Sequence, residues 1–437
     1  MREVTRGTVL AFFLKILGAG LAFGFNVVVA RHLGAEGAGI YFLALSIVMV
    51  ASIIARLGLD NAMLRHVAAN FAHGDYGKVK GIYSLGMRMA MVSALLVTLV
   101  IYFAAPWMAV VFFSKPELIE PLQWMALFIL PFVLLNLQAE SLKGLKKIGD
   151  AMLIQAIGLP LMSLLFLFLL FFSSQIEGVI GVVAAYTLAA IFVTVLGALM
   201  WSRAVSKYAA TPCPISVKVL WGSCKPLFVI SIFGNAILPF APLFLLGIWE
   251  DSYELGLFGA ASQVALIVSM MLVVVNNVVA PKFAELYAKE DMKALENTAQ
   301  KTSITITLLV SPVLLMLIFF GQPVMGVFGS EYEGGALILA ILAGGQMVNL
   351  MTGSVGYLLM MSGHAAALRD LTIMSAIILI LALLALIPMW GGVGAALASA
   401  LSLVFLNVAA VWMVHRKLGI HATFFQKIAI KRALHER

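Results

Sequence analysis

Apolar residues come in long unbroken runs along this chain, and polar residues are confined to the short stretches between them. Crossing a bilayer as a helix takes about 20 mostly apolar residues. Twelve runs meet that length, near residues 8–30, 39–57, 82–105, 121–139, 150–172, 178–201, 226–249, 255–280, 302–321, 335–361, 370–388 and 393–414. Runs such as Leu161 to Phe172 are apolar at every position but one. Strands of a membrane barrel alternate between lipid and lumen, so the pattern predicts helices. The chain reads as an all-α polytopic membrane protein. The first run is too long for the apolar part of a secretory leader and no small-x-small cleavage site follows it, so it is expected to stay as a span.

The pattern also repeats. Ala38-Gly39-Ile40-Tyr41-Phe42-Leu43-Ala44 is matched by Leu255-Gly256-Leu257-Phe258-Gly259-Ala260-Ala261. Val67 to Ala72 with Asp75 is matched by Phe283 to Ala288 with Asp291. Gly178 to Ala185, which opens the sixth span, is matched by Gly391 to Ala398 at the twelfth. Six spans is an even number, so both halves start from the same side and form parallel repeats about an axis along the membrane normal. The expected division is a six-helix bundle over 1–210, a second over 211–414 and a basic tail over 415–437. Phe424, Phe425 and Ile428 among the tail's lysines and arginines fit either an amphipathic surface helix or a frayed end.

Composition agrees with this picture. Of the 437 residues 63% are hydrophobic and 11% charged, with a mean hydropathy of +1.07. A soluble domain is about 45–50% apolar and about 25% charged. The net charge of +8 is distributed as a topology signal. With the N-terminus inside, 25 of the 28 Lys and Arg fall on inner segments, and only Arg31 and Lys115 fall on outer ones. That asymmetry predicts cytoplasmic termini, with anionic lipid headgroups as the partner of the basic face and no nucleic acid. The outer connections lean acidic, through Glu36, Glu117, Glu120, Glu177, Glu250, Asp251, Glu254, Glu331 and Glu333.

Candidate chemistry is sparse. There is no GxSxG, HExxH or P-loop, so no enzyme, cofactor or metal site is expected. Cys213 and Cys224 share one inner connection with no histidine nearby, which makes a disulfide or zinc site a poor reading. Glu250, Asp251 and Glu254 read as a solvated rim. Polar residues within spans carry more weight, because lipid penalises them. Lys15 lies about two turns inside the first span, where it either faces a water-filled cavity or snorkels to the headgroups. Asn26, Asn235, Asn276, Asn277, Gln346 and Asn349 fit interhelical hydrogen bonds or the lining of a cavity. Asp60, Asn136, Gln138 and Glu140 read as helix ends, with ion coupling as the other possibility. Pro239 and Pro242 fall midway along the seventh span and Pro131, Pro160 and Pro312 inside others, where each permits a bend.

Ala30-Arg31-His32-Leu33-Gly34, followed by Gly39-Ile40-Tyr41, Ala44, Leu57-Gly58-Leu59 and Arg65, resembles the N-terminal signature of Wzx-type oligosaccharide flippases of the multidrug/oligosaccharidyl-lipid/polysaccharide exporter superfamily. The resemblance spans the whole chain. It implies two six-helix bundles around a central cavity, working by alternating access at the bacterial inner membrane. It further implies an undecaprenyl-diphosphate-linked oligosaccharide as substrate, for O-antigen, lipopolysaccharide or a similar surface glycan, with H+ or Na+ as a coupling ion. On that reading Lys15 meets the diphosphate, Arg56 and Arg88 flank the inner mouth, and Asn26, Asn235 and Asn276 meet sugar hydroxyls. Pro239 and Pro242 would serve as a hinge. Phe25-Asn26 stands where the lipid II flippase has an Arg-Asp pair, which argues against lipid II. The alternatives are a multidrug or organic-cation antiporter, which would want acidic residues in its spans, and a membrane polymerase or acyltransferase, which has no need of matched halves.

Overall fold

The computed structural model describes residues 2–172, 178–208 and 210–423 and, within them, all side chains except those of residues 2–12, 172, 219, 223, 225–227, 274, 277 and 278. The expected tail helix, the acidic Glu177 and the Asn277 side chain lie outside the described parts. The helices are α1 (Arg2–Ala55), α2 (Leu59–Ala72), α3 (Tyr76–Trp107), α4 (Ile119–Gly144), α5 (Ile148–Met152), α6 (Leu159–Phe172), α7 (Gly178–Ser206), α8 (Val217–Ser231) and α9 (Leu238–Trp249). They continue with α10 (Ser252–Ala288), α11 (Met292–Phe319), α12 (Gly321–Gly326), α13 (Ala336–Thr352), α14 (Val355–Met361) and α15 (Ala365–Leu418). The described residues hold no strand.

Among the described residues, ten stretches are long and apolar enough to cross a membrane, and two of them, Phe13–Ala55 and Ala365–Leu418, have 43 and 54 residues. At about 1.5 Å per residue these would measure about 65 and 80 Å, against a hydrocarbon core of about 30 Å. Each is in fact two helices meeting at a glycine with non-helical backbone, Gly34 (φ 66°, ψ 178°) and Gly391 (φ 51°, ψ −130°). A Cβ would strain either conformation. The ten stretches therefore hold the twelve predicted spans.

Two predicted segments differ in detail. The polar stretch after Leu57 forms a helix of its own, α2, before α3 begins. The single span expected over 335–361 is broken at Gly353 (φ 69°) into α13 and α14. Two hydroxyls of α11 serve the carbonyls freed there: Ser303 Oγ donates to Met351 O (2.8 Å) and Thr307 Oγ1 to Leu350 O (3.3 Å). A helix end is stable at that depth because its acceptors find donors.

The repeat is written into the backbone as well as the sequence. After α2, Asp75 N–H donates to Asn70 O (3.0 Å) and Tyr76 N–H to Gly74 O (2.9 Å). After α10, Asp291 N–H donates to Leu286 O (3.1 Å) and Met292 N–H to Glu290 O (3.0 Å). Gly74 and Glu290, in corresponding places, both have left-handed φ. Gly178 and Gly391 do as well.

The chain forms two compact units, Met1–Ile248 and Trp249–Arg437. The first includes α8 and α9 up to Ile248, so the unit boundary falls one span later than the division expected at residue 210. The core of the first unit gathers Val67, Ile82, Leu135, Leu142, Ile154, Val193 and Trp201. That of the second gathers Phe283, Leu286, Leu295, Leu358, Leu371 and Val414. On α3, Val92, Leu96, Val100 and Phe103 are exposed at helical spacing, an outward apolar stripe suited to lipid. Lys115, expected in a solvated connection, is instead buried and donates to Gly247 O (2.9 Å) near the C-terminus of α9, where the helix dipole favours a cation.

Candidate functional site

Polar groups from four helices and one widened turn converge at the basic end of the first unit. Arg56 follows α1. The chain then turns through Leu57 (φ 53°) and Gly58 (φ 73°), both left-handed, and enters α2. This places Asp60 in the first turn of α2, where the helix N-terminus favours a carboxylate. Arg56 Nη1 lies 3.0 Å from Asp60 Oδ2, with the two side chains 17% and 20% exposed. From α4, Lys143 Nζ donates to Glu140 Oε1 (2.6 Å) and to Gln155 Oε1 (2.8 Å). Gln155 Nε2 donates to Asn136 Oδ1 (3.1 Å), and Asn136 Nδ2 to Phe132 O (2.8 Å).

Gln155 sits in a π turn, Leu153–Gly158. Pro160 accounts for that turn, because a proline ring collides with the carbonyl four residues earlier, here that of Ala156, and a wider turn relieves the collision. The freed Ala156 carbonyl faces Gly18 of α1 so closely that a Cβ there would overlap it. Lys15 lies one turn before Gly18, within electrostatic reach of Lys143.

Among the described residues, Arg56 and Lys143, with Lys15 within electrostatic reach of Lys143, stand against two carboxylates, Asp60 and Glu140. Burial pushes the Asp60 carboxyl above its ordinary range; Arg56 pulls it down, Glu140 raises it and Lys143 lowers it. Its Oδ1 is buried with no hydrogen-bond partner among the described residues. A carboxyl whose folded-state pKa is raised costs stability when ionised, and that cost is relieved as pH falls towards the folded value. From α8, Cys224 lies near enough for burial, and then the Asp60 charge, to push its thiol up to about 11. Among the described residues no group of three or more His, Cys, Asp and Glu is placed to hold a metal.

Among the described residues the second repeat does not reproduce this network. The turn after α4 has Lys147 N–H donating to Leu142 O (2.9 Å), and the turn after α14 has His364 N–H donating to Leu359 O (2.9 Å). In that register Met360 and Tyr357 stand where Lys143 and Glu140 do. The register of the turns after α2 and α10 puts Asn276 opposite Asp60. The same fold element is therefore built without these charges.

Of the residues expected to form a site, Arg56 joins the network through Asp60, and Lys15 lies within electrostatic reach of Lys143. Arg88 is exposed, its guanidinium on Ser84 O and Oγ of its own helix (both 3.2 Å). Asn26 is buried further along α1 and donates to Ala22 O (2.9 Å). Asn235 is exposed in another π turn, Ile232–Ile237, four residues before Pro239, while Pro242 is buried inside α9. Asn276 belongs to the second unit, buried, with no hydrogen-bond partner for Oδ1 among the described residues. Asp251, on the acidic rim, caps α10 by accepting from Glu254 N–H (2.9 Å). Sequence reasoning does not single out Lys143 or Gln155. The available signal was the comparison of repeats, in which Lys143 faces a methionine.

Apolar segments enough for twelve spans, written as two sequence repeats, define a polytopic membrane protein. Residues 4–287 match the family described as "Polysaccharide biosynthesis protein", and the chain belongs to that family. It is similar to the "Probable low-salt glycan biosynthesis flippase Agl15" of Haloferax volcanii, at 23% identity over 92% of this chain and 81% of that protein. It is also similar to "Stage V sporulation protein B" of Bacillus subtilis, at 30% identity over 32% of this chain and 26% of that one. Among solved structures, the lipid II flippase MurJ in an inward closed conformation superposes with a TM-score of 0.74 at 13% identity, covering 93% of this chain and 87% of that one. An inward-facing multidrug resistance MATE family transporter of the MOP superfamily gives 0.73 at 13% identity, covering 94% and 98%. The fold is the one these two solved structures share, and the resemblance carried by Ala30 to Arg65 is borne out. The two folds fit almost equally well, so the choice of cargo rests on the residues.

Proposed function

We propose that this protein flips a lipid-diphosphate-linked oligosaccharide from the inner to the outer leaflet of the bacterial inner membrane, for assembly of O-antigen or a similar surface glycan on an undecaprenyl carrier. The observation that carries this reading is the excess of cations in the Lys15–Arg56–Asp60–Glu140–Lys143 network. A lipid diphosphate concentrates negative charge that cannot enter hydrocarbon unaided. A carrier must offer it positive charge and hydrogen-bond donors at depth, and still let it go. Ammonium groups suit transient capture because they impose no bidentate geometry. A drug antiporter loading organic cations would want the opposite excess. The name of the Haloferax relative, a glycan biosynthesis flippase, supports the same choice.

Lys15 gives the direct test in a flippase-null host that depends on the protein for surface glycan. Lys15→Arg is expected to retain most export and Lys15→Ala to abolish it while the protein still inserts. Parent-level glycan from Lys15→Ala would make Lys15 an anchor at the headgroups and sink its role in capture. The direction of transport rests on topology, with both termini and the 203–225 connection in the cytoplasm. Reporters fused at Ser206 and Ser252 are expected on opposite sides of the membrane, Ser206 inside; finding both on one side would overturn the twelve-span topology, and finding Ser206 outside would overturn the orientation.

A further inference from the structure

Arg56 and Lys143 are already paired with carboxylates of the protein. An incoming anion must take the two cations from Asp60 and Glu140. The consequences for the two carboxylates differ. Glu140 is 15% exposed and Asp60 20%, but neither Glu140 oxygen is both buried and without a hydrogen-bond partner among the described residues. Asp60 keeps one oxygen buried and without a hydrogen-bond partner among the described residues, and its other oxygen is held by Arg56. Taking the guanidinium away leaves a buried carboxylate beside Glu140 and now beside the anion as well. Burying an isolated carboxylate is so unfavourable that such a group takes up a proton instead.

We infer that Asp60 is a proton acceptor linked to substrate capture: when a diphosphate draws Arg56 and Lys143 away, Asp60 takes one proton from solvent and becomes neutral. This rests on the anion reading of the same site. The balance is simple, since one anion enters, one proton binds a carboxylate oxygen, and no other bond changes. Among the described residues, the groups facing Asp60 are Arg56 after α1, Glu140 and Lys143 from α4, and Cys224 from α8. On α3, the neighbouring cations are engaged elsewhere: Lys78 by Asp75, Lys80 by the carbonyls of Tyr208 and Ala210, and Arg88 by Ser84. Ionised Asp60 and Glu140 thus serve as stand-ins for the cargo's charge in the empty carrier. The proton prevents Asp60 from competing for Arg56 while the cargo is held, and its loss restores the ion pair and expels the anion. Asp60 is a positioning and proton-binding group here, and touches no reacting atom.

The test is calorimetric titration of the full chain in detergent micelles with inorganic pyrophosphate, in buffers of different ionisation enthalpy, which counts protons bound per anion. The parent is expected to take up about one proton more per pyrophosphate than Asp60→Asn, by the linkage between binding and titration. Pyrophosphate's own titration is common to both and cancels. An equal count in the parent and Asp60→Asn overturns the inference and leaves the anion site standing. Failure of the parent to bind pyrophosphate overturns the anion site itself. Sulfate, a dianion that does not titrate near neutral pH, reads the same linkage without a variant. Its affinity for the parent is expected to rise as pH falls, by up to about tenfold per pH unit for one proton bound. A pH-independent affinity overturns the inference.

Discussion

Lys143→Met is expected to abolish glycan export and to destabilise the first unit, whereas Lys143→Met combined with Glu140→Gln restores stability and not export. Lys143 is the hub of the network, donating to Glu140 and Gln155 and bordering Lys15 and Asp60. Removing it leaves Glu140 without its cation, next to a second carboxylate. Breaking a buried ion pair from one side costs about 3–5 kcal/mol. The side chains here are 22% and 15% exposed, which points to the lower end of that range. Neutralising both partners removes the stranded charge, and such replacements are commonly neutral or stabilising. The second repeat already carries a neutral pair, Tyr357 and Met360, at the corresponding positions. Melting of the purified variants in detergent separates the two effects, and complementation of a flippase-null host reads export. Parent-level export by the double variant would show that the pair is structural and that the cations for the cargo lie elsewhere.

The second large effect concerns Gly58, the residue that turns the chain into the network. Its φ of 73° and ψ of 13° are left-handed, which costs an L-residue about 1–2 kcal/mol. The larger obstacle is space. A Cβ at Gly58 would stand 2.7 Å from Cys224 O and 2.8 Å from Phe228 N, both backbone atoms of α8. Backbone in a packed helix cannot swing aside as a flexible side chain does. Gly58→Ala is therefore expected to move α8 off α2, open the Asp60 site and remove most folded protein. Gly74 is the internal control, with a similar φ of 76° and nothing within 4 Å of the place a Cβ would take. Gly74→Ala is expected to cost only the conformational penalty, about 1 kcal/mol. Comparing the two by yield of monodisperse protein and by melting temperature checks this, and equal losses would refute the close-approach argument.

What the chain's sequence determines by itself is the arrangement along the membrane normal. Long apolar runs must become helices in lipid, because lipid leaves backbone hydrogen bonds no other partner. The repeat follows from matched stretches such as Val67–Ala72 and Phe283–Ala288, and its turns carry the same hydrogen bonds. These features depend only on local pattern, so they were legible without a fold. The site was legible in part. Lys15 stands out because an ammonium inside an apolar run is costly wherever the run packs. Asp60 and Glu140 read equally well as solvated helix ends, and Lys143 as one more inner-face cation. Their meeting depends on helix packing. It needs α1 to approach the widened turn at Gly18, α4 to approach α2, where Gly144 lies against Val67, and α8 to close over Gly58. Hydropathy fixes how deep a residue sits but is nearly silent on which way a mostly apolar helix turns its few polar groups. That rotation is decided by close contacts between helices, and so only the tertiary structure assembled Arg56, Asp60, Glu140, Lys143 and Gln155 into one network.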